Sequence, residues 1–151
     1  MADNNDLIKL YSGRILELAA EIPRTERLDQ PDATQMKRSP LCGSTVTVDV
    51  QLDGDRITGF GQDVKACALG QAAASVLGAN VVGQSPETVR KARDQLRAML
   101  KEDGPTPTAP FDGFEVLRPA RDYKNRHASI LLTLEAAAEA MEEARASASC
   151  G

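Results

Sequence analysis

A chain of 151 residues with 42% hydrophobic content is long enough for one domain with its own core, and we expect residues 1–151 to form a single domain. Its 18 Lys and Arg residues against 22 Asp and Glu residues give no general attraction to phosphate backbones, which argues against nucleic acid as a partner. No stretch approaches the roughly 20 apolar residues of a membrane span, and the start lacks a signal-peptide pattern. We therefore expect a cytoplasmic protein without a membrane partner.

The first element predicted along the chain is a helix over residues 6–22. Apolar residues recur there at helical spacing, and Pro23 ends the pattern. One face of this helix, which includes Ile15, is expected to dock on the rest of the domain. The following residues, 23–40, are mostly charged and polar and contain Pro31, so we expect a long connection.

A β-sheet is predicted over residues 44–66, where hydrophobicity alternates with a period of two. The apolar positions of the first strand are Val46, Val48, Val50 and Leu52. Asp53-Gly54 is a strong hairpin signal, so residues 56–60 should return antiparallel to that strand. A third short strand is expected at residues 62–65.

Three helices are predicted after the sheet, over residues 67–78, 86–102 and 126–146. The first is rich in alanine, and the second begins with Ser85 as N-cap and Pro86 at its first position. The segment between the second and third helices is punctuated by Pro and Gly and should be irregular, and the tail after residue 146 should be frayed. These elements predict an α+β fold in which a three-stranded antiparallel sheet packs against helices.

Two of the three cysteines, Cys42 and Cys67, stand at the two ends of the predicted sheet, so they could meet at one edge of it. Cys67 sits at a predicted helix N-terminus, where unpaired amides and the helix dipole favour a thiolate. Gly43 next to Cys42 allows close approach of a ligand. Each cysteine could instead be a small buried apolar residue, and Cys150 near the C-terminus is expected to be a non-functional thiol.

The only histidine, His127, is predicted at the start of the last helix. A neutral imidazole there could join Cys42 and Cys67 as a third metal ligand, since two cysteines and one histidine with an open position form a recognised zinc pattern. Ser44 is a further, weaker candidate ligand. The alternative for His127 is a surface or capping role.

The order and spacing of several motifs resemble those of the IscU/SufU/NifU-type iron-sulfur cluster assembly scaffolds, most nearly the SufU-like branch. The residues that carry the resemblance are Ser39-Pro40-Leu41-Cys42-Gly43, the valine-alternating strand, the Asp-Gly turn, Phe60, Ala66-Cys67-Ala68 and the small-residue helix with Ala72 to Ser75. The similarity covers nearly the whole chain. It implies a SufE/NifU-like scaffold fold.

The resemblance also implies a ligand set, because the family holds an iron-sulfur cluster or a zinc ion with three cysteines and an aspartate. Cys42 and Cys67 match the first two cysteines. The family's Cys-Gly-Asp is here Cys42-Gly43-Ser44, and the third cysteine aligns with His127. The implied cofactor is a [2Fe-2S] cluster or iron bound by Cys42, Cys67 and His127, or alternatively Zn²⁺.

Three functions stay open on the sequence. In the first, the protein is a scaffold without turnover that builds a cluster and passes it to recipient apo iron-sulfur proteins, with Cys42 or Cys67 accepting persulfide sulfur from a cysteine desulfurase. In the second, it is a zinc-binding sulfur acceptor that activates the desulfurase. In the third, it is a degenerate interaction module that binds no metal. The sequence leaves the oligomeric state open.

Overall fold

A single sheet with helices packed on it forms the observed architecture. The computed structural model describes residues 13–40 and 43–150, with side chains as far as residue 146. In chain order the elements are α1 (Gly13–Ala20), β1 (Ala33–Arg38), β2 (Thr45–Asp53), β3 (Arg56–Lys65), α2 (Ala68–Asn80), α3 (Pro86–Glu102), a 3-10 helix η1 (Asp112–Asp122) and α4 (Lys124–Cys150). The sheet is three-stranded and antiparallel, which confirms the predicted α+β class. No helix in these described ranges is long and apolar enough to cross a membrane.

The identity of the third strand was predicted wrongly. Residues 56–60 and 62–65 belong to one continuous strand, β3, and the third strand is β1, within the segment 23–40 that was expected to be a connection. β1 is an edge strand that pairs only with β2. Its sequence is polar because Lys37 forms an ion pair with Glu139 of α4 at 2.7 Å instead of entering the core, so the alternation that marks a half-buried strand is missing.

The inner face of the sheet carries the core. Val46, Val48 and Val50 of β2 are buried beneath α4, as their alternation predicted. α2 and α4 supply many buried alanines, which allow the helices to approach each other closely. Gln62, a fully buried polar side chain on this face, is satisfied by donating from Nε2 to the carbonyls of Pro23 (3.2 Å) and Ala74 (3.1 Å).

The start of α3 lies where its capping residue predicted it. Ser85 caps α3 by accepting a hydrogen bond from the Thr88 amide at 3.2 Å. α4 begins two residues earlier than predicted and continues to Cys150, through the tail that was expected to fray. η1 occupies part of the segment expected to be irregular. The part of the predicted first helix before residue 13 lies outside the described residues.

The outer face of the sheet is organised by a buried carboxylate, Asp49. Its two oxygens accept from Arg27 Nε (2.5 Å) and Nη2 (3.0 Å), from the Leu28 amide (3.0 Å) and from Thr34 Oγ1 (2.6 Å). These bonds hold the segment before β1 against the sheet. Gly61, opposite Asp49 in β3, makes this possible, because a Cβ there would lie 2.5 Å from the Glu26 carbonyl oxygen.

These hydrogen bonds also set the charge state of Asp49. Burial alone would raise the pKa of the carboxyl, and it is the largest single influence. The hydrogen bonds from Arg27, Thr34 and the Leu28 amide, together with the Arg27 charge, outweigh it, so the pKa lies below its ordinary value. Asp49 is therefore an ionised carboxylate at neutral pH.

Replacing Asp49 by Asn should lower the free energy of unfolding at pH 7 by about 2 kcal/mol, because hydrogen bonds to a charged acceptor are lost inside the protein. Since the folded pKa is below the unfolded value of about 3.9, this contribution is present above pH ~4 and disappears as the pH falls through the folded pKa. Urea unfolding at pH 7 and at pH 3 measures both effects. The matched control is Asp63→Asn, an exposed carboxylate of β3; equal losses in the two variants would contradict the assignment.

Candidate functional site

A pocket of about 400 Å³ opens at the end of the sheet where β3 leads into α2. We call it the Cys67 pocket. Four segments meet in it: the loop before β2, the end of β3, the start of α2 and the first turn of α4. The lining residues are Gly43, Ser44, Lys65, Ala66, Cys67, Asn125 and Arg126. Cys67 and Ser44, two of the residues singled out from the sequence, are thus brought together.

Cys67 is the N-cap residue of α2, as its predicted position at a helix start requires. It is a free, half-buried thiol. Its sulfur lies 3.6 Å from the hydroxyl oxygen of Ser129 on α4, and that oxygen lies 2.9 Å from the Ser44 hydroxyl. Ser44 and Ser129 are both buried. The three side chains therefore form one continuous chain of polar contacts from the pocket into the helix interface.

A glycine allows Ser129 to come so close. A Cβ added at Gly70 would lie 2.9 Å from Ser129 Oγ and 2.8 Å from the Ala66 Cβ, both well inside contact distance. Gly70 is in the first turn of α2, one turn beyond Cys67, so the missing side chain leaves the space that the Ser129 hydroxyl occupies. The position of the hydroxyl beside the sulfur is thus set by helix packing.

The environment of Cys67 favours the thiolate. Burial is the largest single influence and would raise the pKa of the thiol. The backbone amides of Gly70 and Leu69, the Ser129 hydroxyl and the positive charge of Arg126 together outweigh it, and the pKa is lowered. The sulfur forms no capping hydrogen bond of ordinary geometry, so the amides act through their orientation at the helix start.

Cys42 lies outside the described residues, and its proposed role stays a prediction. Its neighbour Gly43 lines the Cys67 pocket. The Gly43 amide donates to the Ser39 carbonyl, and the Ser39 amide donates to the Ser44 carbonyl, each at 2.8 Å.

His127 is placed elsewhere. It is buried, and its Nε2 lies 3.0 Å from the backbone carbonyl oxygens of both Ala120 and Arg121 at the end of η1. Since both partners are acceptors, Nε2 carries the proton and donates it. His127 lines a separate depression with Arg121, Lys124, Lys101 and other residues. The structure therefore does not bring His127 to Cys67 and Ser44, and a ligand role would be left to Nδ1 alone.

Helix geometry explains this separation. Arg126 and Ser129 are three residues apart, so they share the face of α4 that meets the Cys67 pocket. His127 is two residues from Ser129, which turns it roughly 200° around the helix axis, to the opposite face. Ser129, whose hydroxyl contacts the Cys67 sulfur, was not among the residues predicted from the sequence to form the site. The sequence signal for Ser129 was its position three residues after Arg126, because residues three apart lie on the same face of a helix.

The donor groups of one copy fit an iron-sulfur cluster or zinc ion only in part. Among the described residues, no three His, Cys, Asp or Glu side chains stand close enough to hold a metal ion together. Ser44 presents a hydroxyl where the resemblance implies a carboxylate, Ser129 adds a second hydroxyl, and neutral hydroxyls are poor ligands for iron or zinc. In the described part of the chain, the pocket presents a half-buried thiol with a lowered pKa and no complete ligand set.

Comparison with known proteins assigns the fold. No family model and no curated protein matches the chain. The structure is similar to the crystal structure of a nitrogen-fixing NifU-like protein (N-terminal) from Brucella abortus, with a TM-score of 0.91 and 44% identity over 93% of this chain and 98% of that one. It also resembles an iron-sulfur cluster assembly scaffold protein for the SUF system from Fervidobacterium islandicum AW-1, with a TM-score of 0.78 and 18% identity over 89% of this chain and 98% of that one. A hypothetical protein gives 0.79 and 21%, with the same coverage.

The fold is therefore that of the IscU/SufU/NifU-type scaffold class. At 44% identity over almost the full length of the Brucella domain, the chain belongs to the NifU-like N-terminal domain family within that class. The two matches at 18% and 21% identity support the fold alone. The family resemblance predicted from the sequence is confirmed, and identity is higher with the NifU-like domain than with the SUF-system scaffold.

Replacing Ser129 by Ala should slow the alkylation of Cys67 at pH 7 by about two- to fivefold, because losing one hydrogen-bond donor of about 0.5–1 kcal/mol raises the thiol pKa. The rate of iodoacetamide reaction against pH measures this, in a background where Cys42 and Cys150 are both Ser. The control is Ser75→Ala, which replaces a different buried serine, on α2. If the alkylation rate of Ser129→Ala has the same pH dependence as that of the background protein, the Ser129 hydroxyl does not lower the pKa of Cys67.

The pKa of His127 is lowered chiefly by burial, with the charges of Lys101 and Lys124 adding to the effect and the carbonyls of Ala120 and Arg121 opposing it. The unfolded chain therefore binds this proton first as the pH falls.

We expect the free energy of unfolding to decrease as the pH falls below the unfolded value of about 6.5, until the lowered folded pKa is reached. Because His127 is the only histidine, His127→Gln should remove this slope. Urea unfolding between pH 7.5 and 5 measures it, and an equal slope in the two proteins would count against the buried neutral ring.

Proposed function

We propose that this protein is an iron-sulfur cluster assembly scaffold that accepts sulfur on Cys67. The observation that carries the proposal is a free thiol, with its pKa lowered, at the mouth of an open pocket lined by two cations. The NifU-like relationship supports the same role, since it joins this pocket to a family of assembly scaffolds. The protein would act as a carrier in the cytoplasm, without turnover of its own.

Sulfur acceptance needs only groups that the pocket holds. The Cys67 thiolate attacks the terminal sulfur of a cysteine persulfide on a cysteine desulfurase. A new S–S bond forms to Cys67 while the donor's S–S bond breaks, and the donor cysteine leaves as a thiolate. The terminal sulfur keeps its proton, and one S–S bond replaces another, so no external oxidant or reductant is consumed.

The surroundings of Cys67 suit this exchange. Lys65 and Arg126 line the pocket, and their positive charges stabilise the thiolates that attack and leave in the exchange. Neither forms an ion pair within the described residues, so their charge is available to an incoming group. The half-buried sulfur remains reachable from solvent. After an external reductant, a dithiol or a protein electron carrier, has supplied two electrons per persulfide and released the sulfur as sulfide, that sulfide would be combined with iron into a [2Fe-2S] cargo for recipient apo iron-sulfur proteins, with Cys42 as the second thiol.

A zinc-binding sulfur acceptor that activates the desulfurase is the second candidate. The observation that favours its sulfur-acceptor part is the lowered pKa of the Cys67 thiol. No three metal-binding side chains of the described ranges meet, so its zinc site has no support from these residues. Sulfur transfer requires one thiolate, whereas cluster assembly requires a set of ligands. Zinc in the protein as isolated, with desulfurase stimulation and without acid-labile sulfide, would select this candidate.

Incubation with a cysteine desulfurase and L-cysteine, followed by mass spectrometry of thiol-blocked peptides, tests the proposal. We expect one added sulfur on the Cys67 peptide and none anywhere in Cys67→Ser. Serine is a good N-cap residue, so this variant should fold normally. Cys150→Ser is the matched control and should accept sulfur like the wild type.

Sulfur loading that is unchanged in Cys67→Ser would contradict the assignment of Cys67. A wild-type protein that accepts no sulfur and binds neither iron nor zinc would favour the interaction-module alternative.

A further inference from the structure

The starting observation is a second depression, on the other side of the start of α4 from the Cys67 pocket. It encloses about 300 Å³, at the lower end of the range for small-molecule sites. The last turn of α3, the end of η1 and the first turn of α4 meet there. Its lining residues are Leu100, Lys101, Arg121, Lys124 and His127. We call it the Lys101 depression. Three of the five residues are cations, and none of the described residues that line it is a carboxylate.

The exposed lysines of this depression keep their charge. Neither Lys101 nor Lys124 forms an ion pair within the described residues. Arg121 is partly neutralised, because it donates to Asp103. Asp103 also accepts from Arg118 at 3.1 Å, so this carboxylate is shared by two guanidinium groups. The two lysines therefore hold uncompensated positive charges, with the partly neutralised guanidinium beside them.

The buried imidazole of His127 forms the floor below these cations. It donates from Nε2 to the carbonyl oxygens of Ala120 and Arg121, each at 3.0 Å. These bonds occupy two carbonyl oxygens that would otherwise repel an anion. Burial lowers the pKa of His127 most, and the charges of Lys101 and Lys124 lower it further. The positive potential of both lysines therefore reaches the floor.

The start of α4 adds to this potential. The positive end of a helix dipole normally attracts acidic side chains, as it does in α3, which has Glu87 in its first turn. α4 begins with Lys124-Asn125-Arg126 and has no acidic residue in its first turn. Cations at this end of the helix are unfavourable in the empty protein, and a bound anion would offset them.

We propose that the Lys101 depression binds a phosphate group between Lys101 and Lys124. A phosphate dianion matches the uncompensated charges of the two lysines, and lysine ammonium groups are common phosphate ligands in proteins. The volume admits either inorganic phosphate or the terminal phosphate of a nucleotide. The site does not involve Cys67, so it stands apart from the proposed sulfur acceptance.

Calorimetric titration of the full chain with inorganic phosphate at low ionic strength tests the proposal. We expect one saturable site per chain. Lys101→Ala and Lys124→Ala should each weaken binding about three- to tenfold, because each removes a charge-assisted contact. Lys91→Ala is the matched control, since it removes an exposed lysine from the same helix as Lys101 and should bind phosphate like the wild type. All three variants replace exposed side chains by a good helix former and should fold normally.

Titration with ADP separates the two sources of the phosphate group. A higher affinity for ADP than for phosphate, weakened by the same two substitutions, supports a nucleotide as the source. An equal or lower affinity for ADP supports free phosphate. Acetate at matched ionic strength should bind about tenfold more weakly than phosphate, because it carries one charge instead of two.

Any of four results would overturn the proposal. The first is a wild-type protein without saturable phosphate binding. The second is equal weakening in Lys91→Ala and Lys124→Ala, which would mean that binding follows the net charge of the protein. The third is a loss of binding in Lys65→Ala with Lys124→Ala unchanged, which would place the anion in the Cys67 pocket. The fourth is acetate binding as tight as that of phosphate, which would remove the preference for a dianion.

Discussion

The close passage of α2 and α4 at Gly70 is the constraint on which the site depends. Without a side chain at this position, the Ser129 hydroxyl can lie beside the Cys67 sulfur and also reach Ser44. The alanines that follow in both helices extend the same close packing into the core. The packing of these two helices therefore sets the surroundings of the Cys67 thiol, including the hydroxyl that helps to lower its pKa.

The two faces of the sheet are stabilised in different ways. The inner face buries valines of β2 against α4 and gains from the hydrophobic effect. The outer face buries a carboxylate, Asp49, and satisfies it with Arg27, Thr34 and the Leu28 amide. A charged anchor suits this face because the segment that covers it, around Arg27 and Leu28, is short and polar. With both faces secured, the Cys67 end of the sheet can stay open.

Elements with a local sequence signal could be predicted from the sequence. The valine alternation located β2, the Ser85-Pro86 pair located the start of α3, and Cys67 was placed at a helix N-terminus. β1 was missed because this edge strand forms an ion pair with α4 through Lys37 instead of burying an apolar side chain there, so its hydrophobicity does not alternate. Pairing with β2 makes β1 a strand, and pairing is a contact between distant residues.

The candidate site shows the same division. Residue types and their order were enough to indicate the scaffold class and to name Cys67 and Ser44 as candidates. A cysteine at a helix start and a hairpin flanked by two cysteines can both be recognised from the local sequence. Proximity was decided only by the folded chain. Tertiary packing brought Ser129 to Cys67 and turned His127 toward the carbonyls of η1. The physical reason is that residues next to each other in a helix point in different directions around its axis. Which of them enters a given site is decided by the elements that pack on each face of the helix.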